Sequence, residues 1–349
     1  MTFITKFGLI SWFAFLFTVN VIADDLLIPV PDGELRKLTT PLPLILMYHD
    51  IVEKKYLNSS LCNAAERNKD SFNEDRFCEP LSDVPFSAFA EQMQYLRKNG
   101  FETLSMDELY AVRNGHKRLN PKSVVITFDD GYEGNYNLAY HYLKSLKFKA
   151  TFFVHTGYVG VQNTVTRNVQ IGPNLVQKIY ASKNHMSWNQ LREMDNFKTP
   201  EGEKLFAVYS HTVTHPHLAN LTESELASEL HESRLKIEQE LGGERPYLAY
   251  PFGQYTLHRD TEAEFDLHVI TAVKKEGYTM ALTIDPTHSS PDSVIDGNFA
   301  VPRVAMELPL AEESTEVAKE FHEQIAKFFS TFRNQPETNP STTEVDVTE

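Results

Sequence analysis

The chain has 349 residues, 41% of them hydrophobic, with two cysteines and a formal net charge of -15. That length and apolar content suffice for one large α/β domain or two smaller ones. The acidic balance leaves no excess of Lys or Arg to neutralise phosphates, which argues against a nucleic-acid binder that reads the backbone, although not against a local basic groove.

The first residues read as a targeting segment. Lys6 gives a weak positive start, Phe7 to Val19 is apolar apart from Ser11 and Thr18, and Val21-Ile22-Ala23 precedes Asp24-Asp25. This is the pattern of a cleaved secretory signal over 1–23, with an uncleaved anchor as its rival. The apolar run is shorter than the roughly 20 residues a membrane span needs, and no later stretch approaches that length. The mature chain is therefore expected to be secreted or periplasmic, or held at the cell surface, without a transmembrane domain. Its oligomeric state is not legible in the sequence.

A lead-in segment, 24–41, precedes Leu42 to Tyr48, whose continuous apolar run suits a strand buried on both faces. An insert over 52–85 follows, with a polar stretch from Asn58 to Pro80 that carries Cys62 and Cys78. In an oxidising compartment a disulfide between them would close this loop, the alternative being two free thiols. Phe86, Phe89, Met93 and Leu96 recur at helical spacing, with Gly100 as the stop. Ser105 and Glu108 form a capping box for a short helix. Val124 to Phe128 is the next strand, followed by a helix over Asn137 to Leu146. Ala150 to Val154 is another strand. A second insert, 156–187, has weak periodicity and is expected to be rich in loops.

Phe206 to Tyr209 reads as a short strand. Thr222 and Glu225 form a second capping box, with Leu221 stapled to Leu226 and a stop at Gly242-Gly243. Tyr247 to Tyr250, Thr279 to Ile284 and Val301 to Met306 are further strands, and Thr261 to Lys275 is a helix closed by Gly277. About seven short strands with helices between them predict a β/α barrel or a doubly wound parallel sheet. The last residues, 333–349, are almost free of apolar side chains and predict a disordered tail.

In a β/α barrel, functional groups gather where strands run into the loops at their C-terminal ends. The first strand ends in Tyr48-His49-Asp50 and the second in Asp129-Asp130-Gly131. The fourth runs into SHTVTH, Ser210 to His215, and the fifth into AYPFG, Ala249 to Gly253. Asp129 and Asp130 are consecutive, so on extended backbone their side chains diverge, one free to face a metal and the other a substrate. The plainer reading is an ordinary Asp-Asp-Gly turn before a helix. His211 and His215 are four residues apart, and two imidazoles with one carboxylate and an open position form a catalytic zinc set. Hydrolysis also needs a base and an acid. Asp129 is the natural base if Asp130 is the ligand, and His49 the natural acid if the first strand lies near the second and fourth. The plainer reading of His49 is a histidine bonded to its neighbour. His217 reads as a surface or packing residue.

TFDDGY, Thr127 to Tyr132, and SHTVTH resemble the two leading motifs of the polysaccharide deacetylases, the NodB-homology or carbohydrate esterase family 4 group. The resemblance runs from about Leu42 to Met306. It implies a distorted (β/α)7 barrel over 42–325 with a divalent metal, zinc first and cobalt, nickel or manganese as alternatives. By resemblance Asp129 is the base, and Asp130, His211 and His215 hold the metal. Two features depart from the usual pattern. Ala249 stands where a family arginine would fall, and VPRVAM carries no histidine where the family's acid would lie.

Both departures are similar to the branch that deacetylates poly-β-1,6-N-acetyl-D-glucosamine, in which the acid histidine lies on the first strand. LILMYHDI, Leu44 to Ile51, matches it and makes His49 the acid. Arg303 is then expected to orient Asp129 in place of the missing arginine. Tyr132, Phe252, Tyr255 and Trp188 are candidate substrate or oxyanion supports, Trp188 with packing as its rival. The implied partner is an acetylated polysaccharide. Peptidoglycan, chitin-like and O-acetylated glycans are the alternative substrates, and a non-catalytic glycan-binding protein on the same barrel is the alternative of another class.

Overall fold

A computed structural model of the chain describes residues 27–29, 35–37, 43–53, 83–162, 164–171, 174–182, 184–253, 267–284, 297–306, 321 and 325. The signal segment 1–23, the tail 333–349 and Tyr255 lie outside them. The chain divides into two units, Met1–Leu38 and Thr39–Glu349. In the first, the described part is an antiparallel pair, Leu27–Pro29 with Leu35–Lys37, where the sequence suggested only a lead-in. Among the described residues no helix is long and apolar enough to cross a membrane.

The second unit is a distorted barrel of parallel strands surrounded by helices. Its seven strands are β1 (Leu44–Tyr48), β2 (Ser123–Phe128), β3 (Ala150–Val154), β4 (Phe206–Ser210), β5 (Tyr247–Ala249), β6 (Met280–Ile284) and β7 (Val301–Ala305). Neighbours pair in chain order, and β7 pairs with β1, which pairs with β2, so the ring closes. A two-residue strand, Glu102–Thr103, adds to the outer edge of β2. The distortion is greatest between β4 and β5, which share only the Ser210–Leu248 pairing.

Alternation along the strands makes two apolar layers. Ile45, Val125, Phe153, Tyr209, Ala249, Leu282 and Val301 form one cluster, filling the barrel. Leu44, Leu46, Val124, Ile126, Phe128, Phe152 and Val208 belong to another, which packs against the surrounding helices. Phe321 and Ile325 join this second layer, with the Phe321 ring edge-on to Tyr95 at 5.9 Å.

The helices are α1 (Phe86–Lys98), α2 (Met106–Arg113), α3 (His141–Leu146), α4 (Trp188–Asn196), α5 (Glu223–Leu241) and α6 (Leu267–Lys275). Both expected capping boxes form, Ser105 with Glu108 and Thr222 with Glu225. A third, Ser187 with Gln190, opens α4. The expected helix over Asn137 to Leu146 starts instead as a π-helical turn, Asn135–Tyr140, before α3. Gly134 precedes that turn, and any Cβ there would collide with the Asp50 carboxylate and the Ile51 carbonyl beyond β1.

Two expectations are corrected. Insert 156–187 contains an antiparallel hairpin, Thr164–Ile171 with Asn174–Ser182, rather than loops. Its signal was β-branched content around Gly172-Pro173, not a clean apolar alternation. The expected Cys62–Cys78 disulfide is withdrawn: no disulfide is found among the described residues, and both cysteines lie outside them, so nothing in the described fold joins the two sulfurs.

An ion pair fills the sheet where β4 and β5 separate. Arg245 donates to both oxygens of Asp195, at 2.8 and 3.0 Å. Val208 N–H donates to Asp195, and the Val208 carbonyl accepts from Arg245, at 3.2 Å each. Burial raises the Asp195 pKa, but Arg245 and Lys204 outweigh it and hold the carboxyl below its ordinary range. Its contribution to stability is therefore complete above the unfolded value, about 3.9, and is lost as pH falls through the depressed folded value. Asp195→Asn strands a buried guanidinium and is expected to cost about 3–5 kcal/mol near neutral pH. Urea melts should show that difference shrinking in acid; a constant difference down to the acid transition would refute the account.

Candidate active site and metal centre

The inner face of each strand ends at the same mouth. Continuing the alternation two residues past the inner cluster carries Val125 through Thr127 to Asp129, and Val301 to Arg303. The same step takes Phe153 to His155, Tyr209 to His211, and Ile45 through Met47 to His49. β1 and β2 lie in register, Tyr48 beside Phe128, and Asp129 N–H donates to the Tyr48 carbonyl at 2.9 Å. His49 and Asp129 thus leave adjacent strands at one level.

Asp129 is buried, and Arg303 donates to both its oxygens at 2.7 Å each. Arg303 is buried too, with Thr127 and the Thr283 carbonyl as further acceptors. Burial raises the Asp129 pKa, but Arg303 first and then His211 outweigh it and hold the carboxyl below its ordinary value.

Asp130 has a left-handed backbone, φ 69°. The two acids therefore do not diverge as extended backbone would require. Asp130 Oδ1 lies 3.4 Å from His211 Nε2, and Asp129 Oδ2 lies 3.9 Å from the same nitrogen. Gly131, at φ 78°, continues the turn, and a Cβ there would press on the Val154 side chain at 2.9 Å. Asp130 Oδ1 is also 3.6 Å from His215 Nε2 and 3.7 Å from His155 Nε2.

Asp130, His211 and His215 can each aim one ligand atom at a common point, all within 4.8 Å of one another. Asp130 Oδ1 is buried without a hydrogen-bond donor. An anionic oxygen surrounded by imidazole nitrogens but bonded to none fits a divalent cation. His211 Nδ1 is 2.8 Å from the Ala249 carbonyl, which fixes the proton there and leaves Nε2 to face the acids. Ala249, where the usual arginine is missing, thus contributes its backbone.

The charges agree. Burial raises the Asp130 pKa, but His211, His49, His215 and His155 together hold it well below its ordinary value. Burial pulls His211 down, yet Asp129 and Asp130 outweigh it and the imidazole is raised. Burial lowers His155 and His215 to about 4, leaving them neutral. Arg303 already supplies the counter-charge of Asp129, so the negative charge left at the mouth is that of Asp130, which a proton on His211 or a bound cation would offset.

His155 belongs to no motif in the sequence; its one signal is the alternation from Phe153, an inner position two residues earlier. His155 is buried, and its ring lies 5.0 Å from His185, which is tilted against Tyr132 at 5.1 Å. Phe252, at φ 58°, is edge-on to His215 at 4.4 Å and stacks on His217 at 3.9 Å. Trp188 begins α4 and packs against the outer apolar layer, with the Lys236 ammonium 5.7 Å from its ring centre. The structure thus brings together Asp129, Asp130, His211, His215 and Arg303, sets His49 beside them, leaves Phe252 partly exposed next to His215, and buries Tyr132 against His185.

Residues 116–280 match the family model described as polysaccharide deacetylase. A Bacillus subtilis (strain 168) protein, YxkH, assigned by its name to the polysaccharide deacetylases, is 28% identical over 221 residues. That match covers 63% of this chain and 64% of the relative, so the chain spans just under two thirds of its length. A Staphylococcus aureus (strain MSSA476) poly-β-1,6-N-acetyl-D-glucosamine N-deacetylase is 24% identical over 288 residues, 80% of this chain and 84% of that protein. The structure of the Streptococcus pyogenes deacetylase PplD with acetate superposes with a TM-score of 0.55 at 21% identity, over 80% of this chain and 98% of that one, which speaks to the fold alone.

Proposed function

We propose that this chain, which carries a domain of the polysaccharide deacetylase family, hydrolyses N-acetyl groups of an exported or cell-surface polysaccharide, with poly-β-1,6-N-acetyl-D-glucosamine as its substrate. The observation that carries the reading is the cluster of Asp130, His211 and His215 with the ion-paired Asp129 beside it. A divalent ion held by those three residues, zinc first, would polarise the acetyl carbonyl and acidify water.

The remaining work falls to side chains. Asp129, kept ionised and fixed in rotamer by Arg303, takes a proton from the attacking water. The Tyr132 backbone N–H is our candidate donor to the developing oxyanion. His49 gives a proton to the amide nitrogen as the C–N bond breaks, so acetate and a free amine leave. Phe252, only partly buried, is the aromatic side chain at the mouth that a sugar ring could meet, while Tyr132 is buried against His185. Action on such a glycan would put the working protein outside the cytoplasm, and the signal-like pattern over 1–23 supports that reading.

Three features support the β-1,6 assignment over other glycans. They are an acid histidine on the first strand, Arg303 in place of the arginine absent at Ala249, and the similarity to the S. aureus deacetylase over 80% of the chain. Acetate release from β-1,6-linked and β-1,4-linked N-acetylglucosamine oligomers tests it. Faster release from the β-1,6 series is expected; equal or faster release from the β-1,4 series moves the assignment to a chitin-like or peptidoglycan substrate, and release from neither favours an O-acetylated glycan or a binding protein.

His49→Ala is expected to lower turnover by about 10²–10⁴-fold with metal affinity unchanged, since only the proton donor is lost. Turnover near wild type would remove His49 from that role.

A further inference from the structure

The loop that carries both histidine ligands has an uncommon backbone. Thr212 and His215 are left-handed, at φ 70° and 62°. Thr212 is β-branched, and such residues avoid that region. A backbone of this kind persists only where its surroundings over-determine it.

Here the surroundings are one face of α5. Glu229 Oε2 accepts from the N–H groups of Val213 at 2.8 Å and Thr214 at 2.9 Å. Its other oxygen accepts from the Thr214 hydroxyl at 2.5 Å. One turn further along, the Ser233 hydroxyl donates to the Thr212 carbonyl at 3.0 Å and lies 2.7 Å from the Ser210 hydroxyl. Ser210 in turn accepts from Thr212 N–H at 3.1 Å, and His215 N–H donates to the Thr212 hydroxyl at 3.1 Å. Every peptide N–H from Thr212 to His215 is thereby held by a side chain, two of the four by one carboxylate.

We propose that Glu229 is a positioning residue of the metal centre: by clamping the two peptide N–H groups just before His215, it holds that imidazole against Asp130. The carboxylate is not one of the three candidate ligands, and its three bonds all go to the ligand loop. A partner outside the ligand set that orients a ligand typically contributes 10- to 100-fold in metal affinity. The inference rests on the reading of Asp130, His211 and His215 as ligands.

Zinc affinity of the purified full chain, measured by competition with a chromophoric chelator, tests it. Glu229→Ala and Glu229→Asp are expected to bind zinc at least about 10-fold more weakly than wild type. Asp keeps the charge but is one methylene too short to reach the loop, so a loss there excludes a long-range charge effect. Glu229→Gln retains an acceptor oxygen for both N–H groups and should recover most of the affinity. If Glu229→Ala does not fold, Glu229→Asp carries the comparison on protein shown to be folded by circular dichroism. Wild-type affinity in Glu229→Asp, or equal losses in Asp and Gln, would overturn the proposal. A wild-type chain that binds no zinc would overturn the ligand reading, and this one with it.

Discussion

Asp129→Asn is expected to reduce acetate release by about 10²–10⁴-fold while the chain still binds its metal. The substitution keeps the shape of the side chain and leaves Asp130, His211 and His215 in place. What it removes is the acceptor for the water proton. Asp129 is suited to that task because Arg303 holds both its oxygens, which fixes the rotamer and keeps the carboxyl ionised. Parallel measurements of turnover and zinc content separate the roles. Loss of zinc in Asp129→Asn would make this residue a ligand, and near-normal turnover would make it a bystander.

Arg303→Met should give the largest loss of stability of any single substitution at the site, about 3–5 kcal/mol. Both partners are buried, so truncating one leaves an anion in the barrel without its counter-charge. Methionine fills much of the space and removes only the charge and the donors. Turnover should fall as well, because Asp129 loses the bonds that orient it. Urea denaturation of Arg303→Met, Asp129→Asn and the double variant forms a cycle. The double variant should be less destabilised than the two single effects added together, because it leaves no unpaired charge. Simple additivity would show that the pair is not coupled and that Arg303 supports the barrel by packing alone.

The parts of this fold visible in the sequence are those set by local chemistry. Seven strands could be placed because each is a short apolar run bounded by turn residues. Both predicted capping boxes rest on four-residue signals that act within one turn. Reading strand ends as the functional level brought His49, Asp129, His211 and His215 to one mouth.

The rest depends on conformation or on distant partners. Asp130 reaches the same imidazole as Asp129 because its backbone is left-handed, which an Asp-Gly sequence permits but does not require. Asp195 and Arg245 are 50 residues apart and meet only where β4 and β5 fail to pair. Glu229 is one of several acids along α5, and its contacts exist only because the ligand loop folds back onto that helix. His155 is a different case, since the alternation from Phe153 predicts its inward position.

Acetate release and zinc content, followed on one preparation of the chain as metal is stripped by a chelator and then restored, test the central claim most directly. The account predicts that release from N-acetylglucosamine oligomers falls in proportion to zinc lost, returns when zinc is added back, and never appears in Asp130→Ala. Undiminished release from stripped protein, or from Asp130→Ala, would contradict it.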